Sequence, residues 1–296
     1  MRETISNLLS KTIVFKYQLP HDDIKKTDIS TQKDKCFSVS SNKELSELIY
    51  NGIVEYAYGE KSINLEELDL CQKRAIVSRL RYEESASDDT KLKYGFYGEV
   101  VLDVLLKYYF KSSLLIAKGY FYNPLENEET KGYDSFQFYY SNNNPVLLLG
   151  EAKFHKTYKT AVDDVIKKMT KATSVSYFNK NILAIINLKD NLDSCPVELL
   201  SIIEKWENDP NINLYNEIVN NSIKLLYPVL LIYDQFDADY DKTIKATVEE
   251  IDKKINKYVV TPEMSISILF IFVPVNSSQK IKEEVLEWIS QQKPLI

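Results

Sequence analysis

Three long apolar segments, separated by stretches with helical patterning, constrain the fold of this chain more than any other feature. They read PVLLLG (145–150), IKLLYPVLLIYD (223–234) and MSISILFIFVPV (264–275). An apolar run without alternation is typical of a strand that is buried on both faces. The stretches between these runs are long enough to hold the crossover helices that parallel strands require. The sequence therefore predicts an α/β fold, with a sheet covered by helices on both faces.

Shorter elements are predicted around these segments. TIVFKYQL, KCFSVSS and NILAIINL are expected to be strands, and YGFYGEVVLDVLLKYYF is expected to be a helix buried on most sides. Before residue 85 the chain has two further helical patterns and no motif that we can identify. We therefore expect a mostly helical N-terminal extension at 1–85 and one main domain at 86–296, joined through the polar segment SASDDTK.

The segment KGYDSFQFYYSNNNPVLLLGEAKFH (131–155) predicts two strands joined by a polar turn, with charges at positions expected to be buried. Because side chains alternate along a strand, Asp134 shares a face with aromatic residues, and Glu151 and Lys153 share a face with leucines. Burying unpaired carboxylates is unfavourable, and a divalent cation between Asp134 and Glu151 would compensate for it. Mg²⁺ prefers such oxygen ligands, with Mn²⁺ as an alternative. Glu99, on the preceding helix, is a candidate third ligand.

Composition excludes several other kinds of chemistry. The chain has 7 glycines, and no phosphate-binding loop, dinucleotide-binding turn or G-x-S-x-G motif occurs in it. Its 2 histidines are isolated and its 3 cysteines are far apart, which disfavours zinc chemistry and a disulfide framework. No apolar run is long enough to span a membrane and no secretory signal is evident, so we expect a cytoplasmic protein.

The charged residues of this hairpin resemble the motif of the PD-(D/E)XK nuclease superfamily. In that superfamily a helix often has an acidic residue, one strand has Asp, and the next strand has Glu-x-Lys. Glu99, Asp134, Glu151 and Lys153 match those positions, although Tyr133 stands where the superfamily often has proline. The surrounding sequence resembles, more narrowly, the HamA family, the nuclease subunits of Hachiman antiphage systems.

This resemblance implies a nuclease-like mixed sheet flanked by helices, and metal-dependent cleavage of DNA under the control of a helicase partner. The formal net charge of −6 agrees with a partner that delivers the substrate, because an acidic chain binds nucleic acid poorly by itself. Any basic surface must then be local. Lys156, Lys159 and Lys167, on or just before the helix that follows the motif, are candidate phosphate contacts.

Other interpretations of the same residues remain open. Glu151 and Lys153 could form an ordinary surface ion pair, and Glu99, Asp103 and Lys107 could be a solvated stripe on a helix. The chain could be an adaptor that keeps a nuclease fold without activity, or a self-sufficient enzyme of the restriction type. His155 is expected to be a polar residue at a strand end and not a catalytic base.

Overall fold

The computed structural model describes residues 1–123, 125–126, 128–192, 195–208 and 213–296. Within these ranges the chain forms eleven α-helices and nine strands. The helices are α1 (Glu3–Thr12), α2 (Asn42–Ala57), α3 (Leu68–Ser78), α4 (Asp88–Lys91), α5 (Phe96–Tyr109), α6 (Tyr158–Ala172), α7 (Val175–Ile186), α8 (Val197–Asn208), α9 (Leu214–Asn220), α10 (Tyr240–Tyr258) and α11 (Ser278–Ser290). The strands are β1 (Ile13–Gln18), β2 (Lys35–Val39), β3 (Ser113–Ile116), β4 (Tyr122–Asn123), β5 (Glu128–Glu129), β6 (Ser135–Ser141), β7 (Asn144–Phe154), β8 (Lys224–Asp234) and β9 (Ile266–Val275).

Seven strands form one mixed sheet in the order β1-β2-β9-β8-β7-β6-β3. The strands β2, β9, β8 and β7 pair in parallel, as their apolar sequences and helical crossovers predict. The strands β1, β6 and β3 add antiparallel pairs at the two sides. The expected α/β fold with a mixed sheet flanked by helices is therefore confirmed.

Helices cover both faces of this sheet and enclose two apolar cores. One core lies between the sheet and α6 to α10, and it includes the side chains of Leu147 and Leu149 from β7. The other lies between the sheet and α1, α2, α5 and α11, and it includes Leu148 and Ala152 from the same strand. The alternation expected along β7 is thus present, so Glu151 and Lys153 lie on the α6 side of the sheet. No helix of the described ranges is long and apolar enough to cross a membrane.

One expectation and one alternative interpretation from the sequence are wrong. NILAIINL was expected to be a strand, but it forms the end of α7, where Ile182, Ile185 and Ile186 join the core at helical spacing. The solvated-stripe interpretation of α5 also fails, because Glu99, Asp103 and Lys107 are all buried. The Lys107 ammonium group lies 2.7 Å from Asp103 Oδ2. This ion pair compensates for the burial of both charges.

The N-terminal segment contributes to the same sheet. Strand β2 pairs in parallel with β9, and β1 forms the edge beside it. Helix α2 is mostly buried and packs on α5 and α11. The division between residues 85 and 86 stays a prediction.

Helix α5 approaches β7 closely because small residues lie at the contact. A Cβ atom added to Gly98 would lie 3.4 Å from the Cβ atom of Ala152. A Cβ atom added to Gly150 would lie only 2.7 Å from Leu102 Cδ2. The sequence of β7 just before Glu151 is therefore limited by the packing of the helix above it.

We expect Gly150→Ala to lower the free energy of unfolding by about 1–3 kcal/mol, because the added methyl group overpacks the contact with Leu102. Gly98→Ala is the matched control. Its new Cβ atom makes ordinary contacts at 3.4 Å, and alanine is favoured over glycine in a helix by about 0.5–1 kcal/mol. Urea denaturation followed by circular dichroism measures both variants, and equal loss of stability would contradict this packing.

Candidate active site

The β6–β7 hairpin determines the positions of two carboxylates. Its two-residue turn, Asn142–Asn143, has positive φ angles of 51° and 62°, as a type I′ turn requires. The turn fixes a register in which Ser135 pairs with Gly150. Continued by one residue, this register places Asp134 directly opposite Glu151.

Backbone groups of β7 hold Asp134 in place. Its own N–H donates to Gly150 O at 2.8 Å, and its Oδ2 accepts from the N–H of Ala152 at 2.9 Å. The orientation of this carboxylate is therefore determined by the sheet. The other oxygen, Oδ1, lies 3.8 Å from the Lys168 ammonium.

Glu151 is fully buried, with 0% of its surface exposed. Lys153 Nζ donates to Glu151 Oε1 at 2.5 Å. Lys168 Nζ lies 2.6 Å from Glu151 Oε2 as an ion pair, although Oε2 receives no hydrogen bond of good geometry from the described residues. The surface ion-pair interpretation is thus wrong as to location: Glu151 and Lys153 do pair, but in the interior.

Burial and neighbouring charges shift the pKa values of these four groups. Burial raises the pKa of Glu151, and the Asp134 carboxylate raises it further. Burial would also raise the pKa of Asp134, but Lys168, Lys153 and Lys118 outweigh burial and lower it. Burial acts to lower the pKa of Lys153 and of Lys168, but the attraction of the two carboxylates is stronger and raises both. The geometry therefore keeps Asp134 ionised and both lysines protonated.

Lys168 belongs to this cluster, although sequence reasoning considered it only among the lysines of this helix that could contact phosphate and did not predict its pairing with the two carboxylates. It comes from α6, where it follows the buried residues Ala161 and Val165 at helical spacing. Lys167, about 100° away around the helix, is exposed and pairs with Asp163, which is four residues earlier. The helical period was thus the available signal, because it distinguishes the lysine that faces the sheet from the one that faces solvent.

Glu99 reaches the same place from the opposite face of the sheet. It lines a cavity of about 360 Å³, the site cavity, together with Asp134 and Lys153. Its Oε2 accepts a hydrogen bond from the Tyr56 hydroxyl at 2.5 Å. The structure therefore brings all four predicted residues to one end of β7, with Glu151 lying beneath the cavity and not among its lining residues.

The oxygen atoms fit a Mg²⁺ ion bound by two protein carboxylates. Asp134 Oδ1 and Glu151 Oε2 both face the Lys168 ammonium group, so these two oxygen atoms can share one cation, and a Mg²⁺ ion bound between them would displace that ammonium group. Mg²⁺ is usually bound by one or two carboxylates, and water and substrate phosphate complete its coordination. Within the described ranges, no group of three or more His, Cys, Asp or Glu side chains could hold a metal. The role of Glu99 as a third ligand stays a prediction.

The predicted phosphate contacts occupy different environments. Lys156 lines the site cavity, whereas Lys159 is exposed on α6 and Lys167 forms its surface pair. His155 follows the end of β7 and lies 3.0 Å from the Asp164 carboxylate. Burial lowers the pKa of His155, and its position agrees with a polar residue at a strand end.

Comparison with known proteins gives one match. A protein-family model described as HamA matches residues 11–289. No curated protein and no solved structure matches the chain. The family match extends from the first strand of the sheet to the last helix, and it includes every residue of the cluster.

We expect Lys168→Met to lower the free energy of unfolding by about 2 kcal/mol in EDTA at pH 7. Removing one partner of a buried pair typically costs about 3–5 kcal/mol, and Lys153 still neutralises Glu151 in this variant. Lys167→Met is the control, because a surface pair contributes less than about 1 kcal/mol. Urea denaturation compares them, and an equal effect of the two substitutions would contradict the assignment of Lys168 to the cluster.

Proposed function

Because this chain belongs to the HamA family, we propose that it is the nuclease of a Hachiman antiphage defence system and hydrolyses DNA phosphodiester bonds. The observation that supports this most strongly is the convergence of Asp134, Glu151 and Lys153 at one end of the hairpin. Two carboxylates and a lysine, in this order on adjacent strands, form the pattern that resembles the PD-(D/E)XK nucleases.

Asp134 and Glu151 would hold Mg²⁺ or Mn²⁺. When bound, such a cation supplies a Lewis acid that activates water and stabilises negative charge on the phosphate. The two carboxylates and the ammonium groups of Lys153 and Lys168 are formally neutral as a set. A divalent cation would therefore give the site the positive charge that attracts a phosphodiester.

Lys153 has a donor available for the reaction. Its Nζ donates to Glu151 Oε1 at 2.5 Å and to Ala152 O at 3.2 Å. An ammonium group has three N–H donors, and Lys153 lines the site cavity. The third donor can therefore orient the attacking water or stabilise the charge that develops on a phosphate oxygen.

The proposal includes a separate DNA-translocating partner, a helicase, in the cytoplasm. The net charge of −6 opposes tight binding of DNA by the chain alone. The sequence also lacks a nucleotide-binding loop that could drive translocation. A partner that brings DNA to the site cavity would supply both functions and control cleavage.

One observation favours a second candidate, an adaptor without catalytic activity. Lys153 and Lys168 already neutralise Glu151, so the fold does not require a metal for charge balance. An adaptor would bind a partner or nucleic acid through the same fold. Substitution of the cluster separates the two candidates.

We expect Glu151→Gln and Lys153→Met each to reduce DNA cleavage by at least about 10²-fold, because each removes charge from the reacting centre. EDTA should abolish cleavage by the unmodified protein. Asp190→Asn, an exposed carboxylate outside the cluster, is the control and should cleave normally. Gel assays on linear and circular DNA, with and without the helicase, measure these effects. Full phage defence by the two cluster variants would support the adaptor.

We expect Glu99→Gln to weaken Mn²⁺ binding by about 10-fold, because Glu99 would act through water in the site cavity, as outer ligands of metal sites do. Tyr56→Phe should have a smaller effect, since it removes the donor to Glu99 and keeps the carboxylate. Calorimetric titration with Mn²⁺ measures both. Unchanged affinity in Glu99→Gln would exclude Glu99 from the metal site.

A further inference from the structure

A second cavity, of about 210 Å³, lies beside the site cavity and is strongly basic. Four lysines line it: Lys118, Lys131, Lys171 and Lys180. They come from a short 3₁₀ helix, the segment before β6, the end of α6 and the middle of α7. The described lining residues include no carboxylate. We call this feature the lysine cavity.

The segment that enters β6 forms a wall between the two cavities. Gly132 lines the lysine cavity and Asp134 lines the site cavity. Two residues of chain span at most about 7 Å. Lys168 also links the two sides, because its Nζ donates to Gly132 O at 3.1 Å and pairs with Glu151.

Three of the four lysines are placed to attract an anion. Lys131, Lys171 and Lys180 are exposed at the cavity rim, and none has an ion-pair partner among the described side chains. Lys171 Nζ lies 5.2 Å from the centre of the Tyr177 ring, which orients it towards the cavity. In a chain with a net charge of −6, three exposed lysines that share one cavity rim and have no ion-pair partner among the described side chains favour a negatively charged ligand.

The walls of the lysine cavity suit a ligand that is part of a nucleic-acid strand. Phe121 and Phe136 stack at its base with ring centres 5.2 Å apart, and Asn181 and Thr130 add polar groups. Both rings are almost fully buried, so they form an apolar base, and the basic rim is the part of the cavity that the phosphates of a strand would meet. One strand of DNA has a phosphate for about every 3.4 Å of rise. The phosphate next to the bond at Asp134 would therefore lie within reach.

We propose that the lysine cavity binds a backbone phosphate of the DNA strand adjacent to the phosphodiester bond that is cleaved. This inference rests on the proposed function, because it assigns the neighbouring site for the same strand. The bound strand would then run across the protein from the site cavity, past Gly132, towards α7.

The test measures binding of a fluorescent single-stranded oligonucleotide to the full chain in EDTA, in a Glu151→Gln background that cannot cleave. The triple variant Lys131→Gln, Lys171→Gln, Lys180→Gln should bind at least about tenfold more weakly. Its slope of log K against log[salt] should be smaller by about 0.7–1.4, the loss of one or two phosphate contacts. The control combines Lys11→Gln, Lys43→Gln and Lys73→Gln, exposed lysines of α1 to α3 with the same total charge change. The single variant Lys180→Glu should also weaken binding of the oligonucleotide. It tests the same cavity in a protein with only one substitution besides Glu151→Gln.

Similar weakening by the two triple variants, or no binding by the parent protein, would overturn the inference. A titration with dAMP distinguishes a free nucleotide from a strand. If dAMP binds as tightly as the oligonucleotide and with the same dependence on the lysines, the cavity serves a free ligand and the proposal is wrong. Lysine-dependent binding of the oligonucleotide, combined with no cleavage by the unmodified protein and its helicase in Mg²⁺, would support strand binding in the lysine cavity but contradict the nuclease and the placement next to a cleaved bond.

Discussion

The buried carboxylate of Glu151 is the constraint on which the site depends. It lies on β7, between the neighbouring strands β6 and β8, with 0% of its surface exposed. An isolated ion there would cost several kcal/mol, and the ammonium groups of Lys153 and Lys168 compensate for that cost. Asp134 adds a second negative charge that both lysines also attract. These four groups must therefore be treated as one electrostatic unit.

The geometry of this unit is determined by contacts at a distance from it. The turn at Asn142–Asn143 fixes the register that aligns Asp134 with Glu151, because a shift by one residue would turn every side chain to the other face. On the other face of the sheet, the close packing of α5 at Gly98 and Gly150 fixes the distance between α5 and β7. The apolar packing of α6 against the sheet places the Lys168 ammonium group beside Glu151. The chemistry of the site is thus positioned by packing and turn geometry.

Much of this arrangement could be predicted from the sequence, since long apolar strands and alternating faces are local signals. The end of α7 could not, because a short apolar run has no period that distinguishes a buried strand from a helix. Ile182 and Ile186 are buried, whereas Leu183 between them is 43% exposed, and that pattern becomes visible only in the fold. Predicting that Lys168 joins the cluster would have required knowing which side of α6 faces the sheet. Pairing between Asp103 and Lys107 was predictable, but their burial depended on the neighbouring helices.

The positive charges near the site are held in fixed positions. Backbone carbonyl groups accept hydrogen bonds from three ammonium groups: those of Lys118 by Tyr133 O, of Lys168 by Gly132 O and of Lys282 by Phe154 O. Phe154 ends β7, and Gly132 and Tyr133 belong to the segment that leads into β6. Because these hydrogen bonds hold the ammonium groups, the charges need little rearrangement to meet an anion. Their range is short, since physiological salt screens charges beyond about 8 Å. At longer range, the net charge of −6 repels a DNA strand. A site that is basic only at close range is therefore suited to DNA that another protein brings to it, which is the physical basis for proposing a nuclease controlled by delivery.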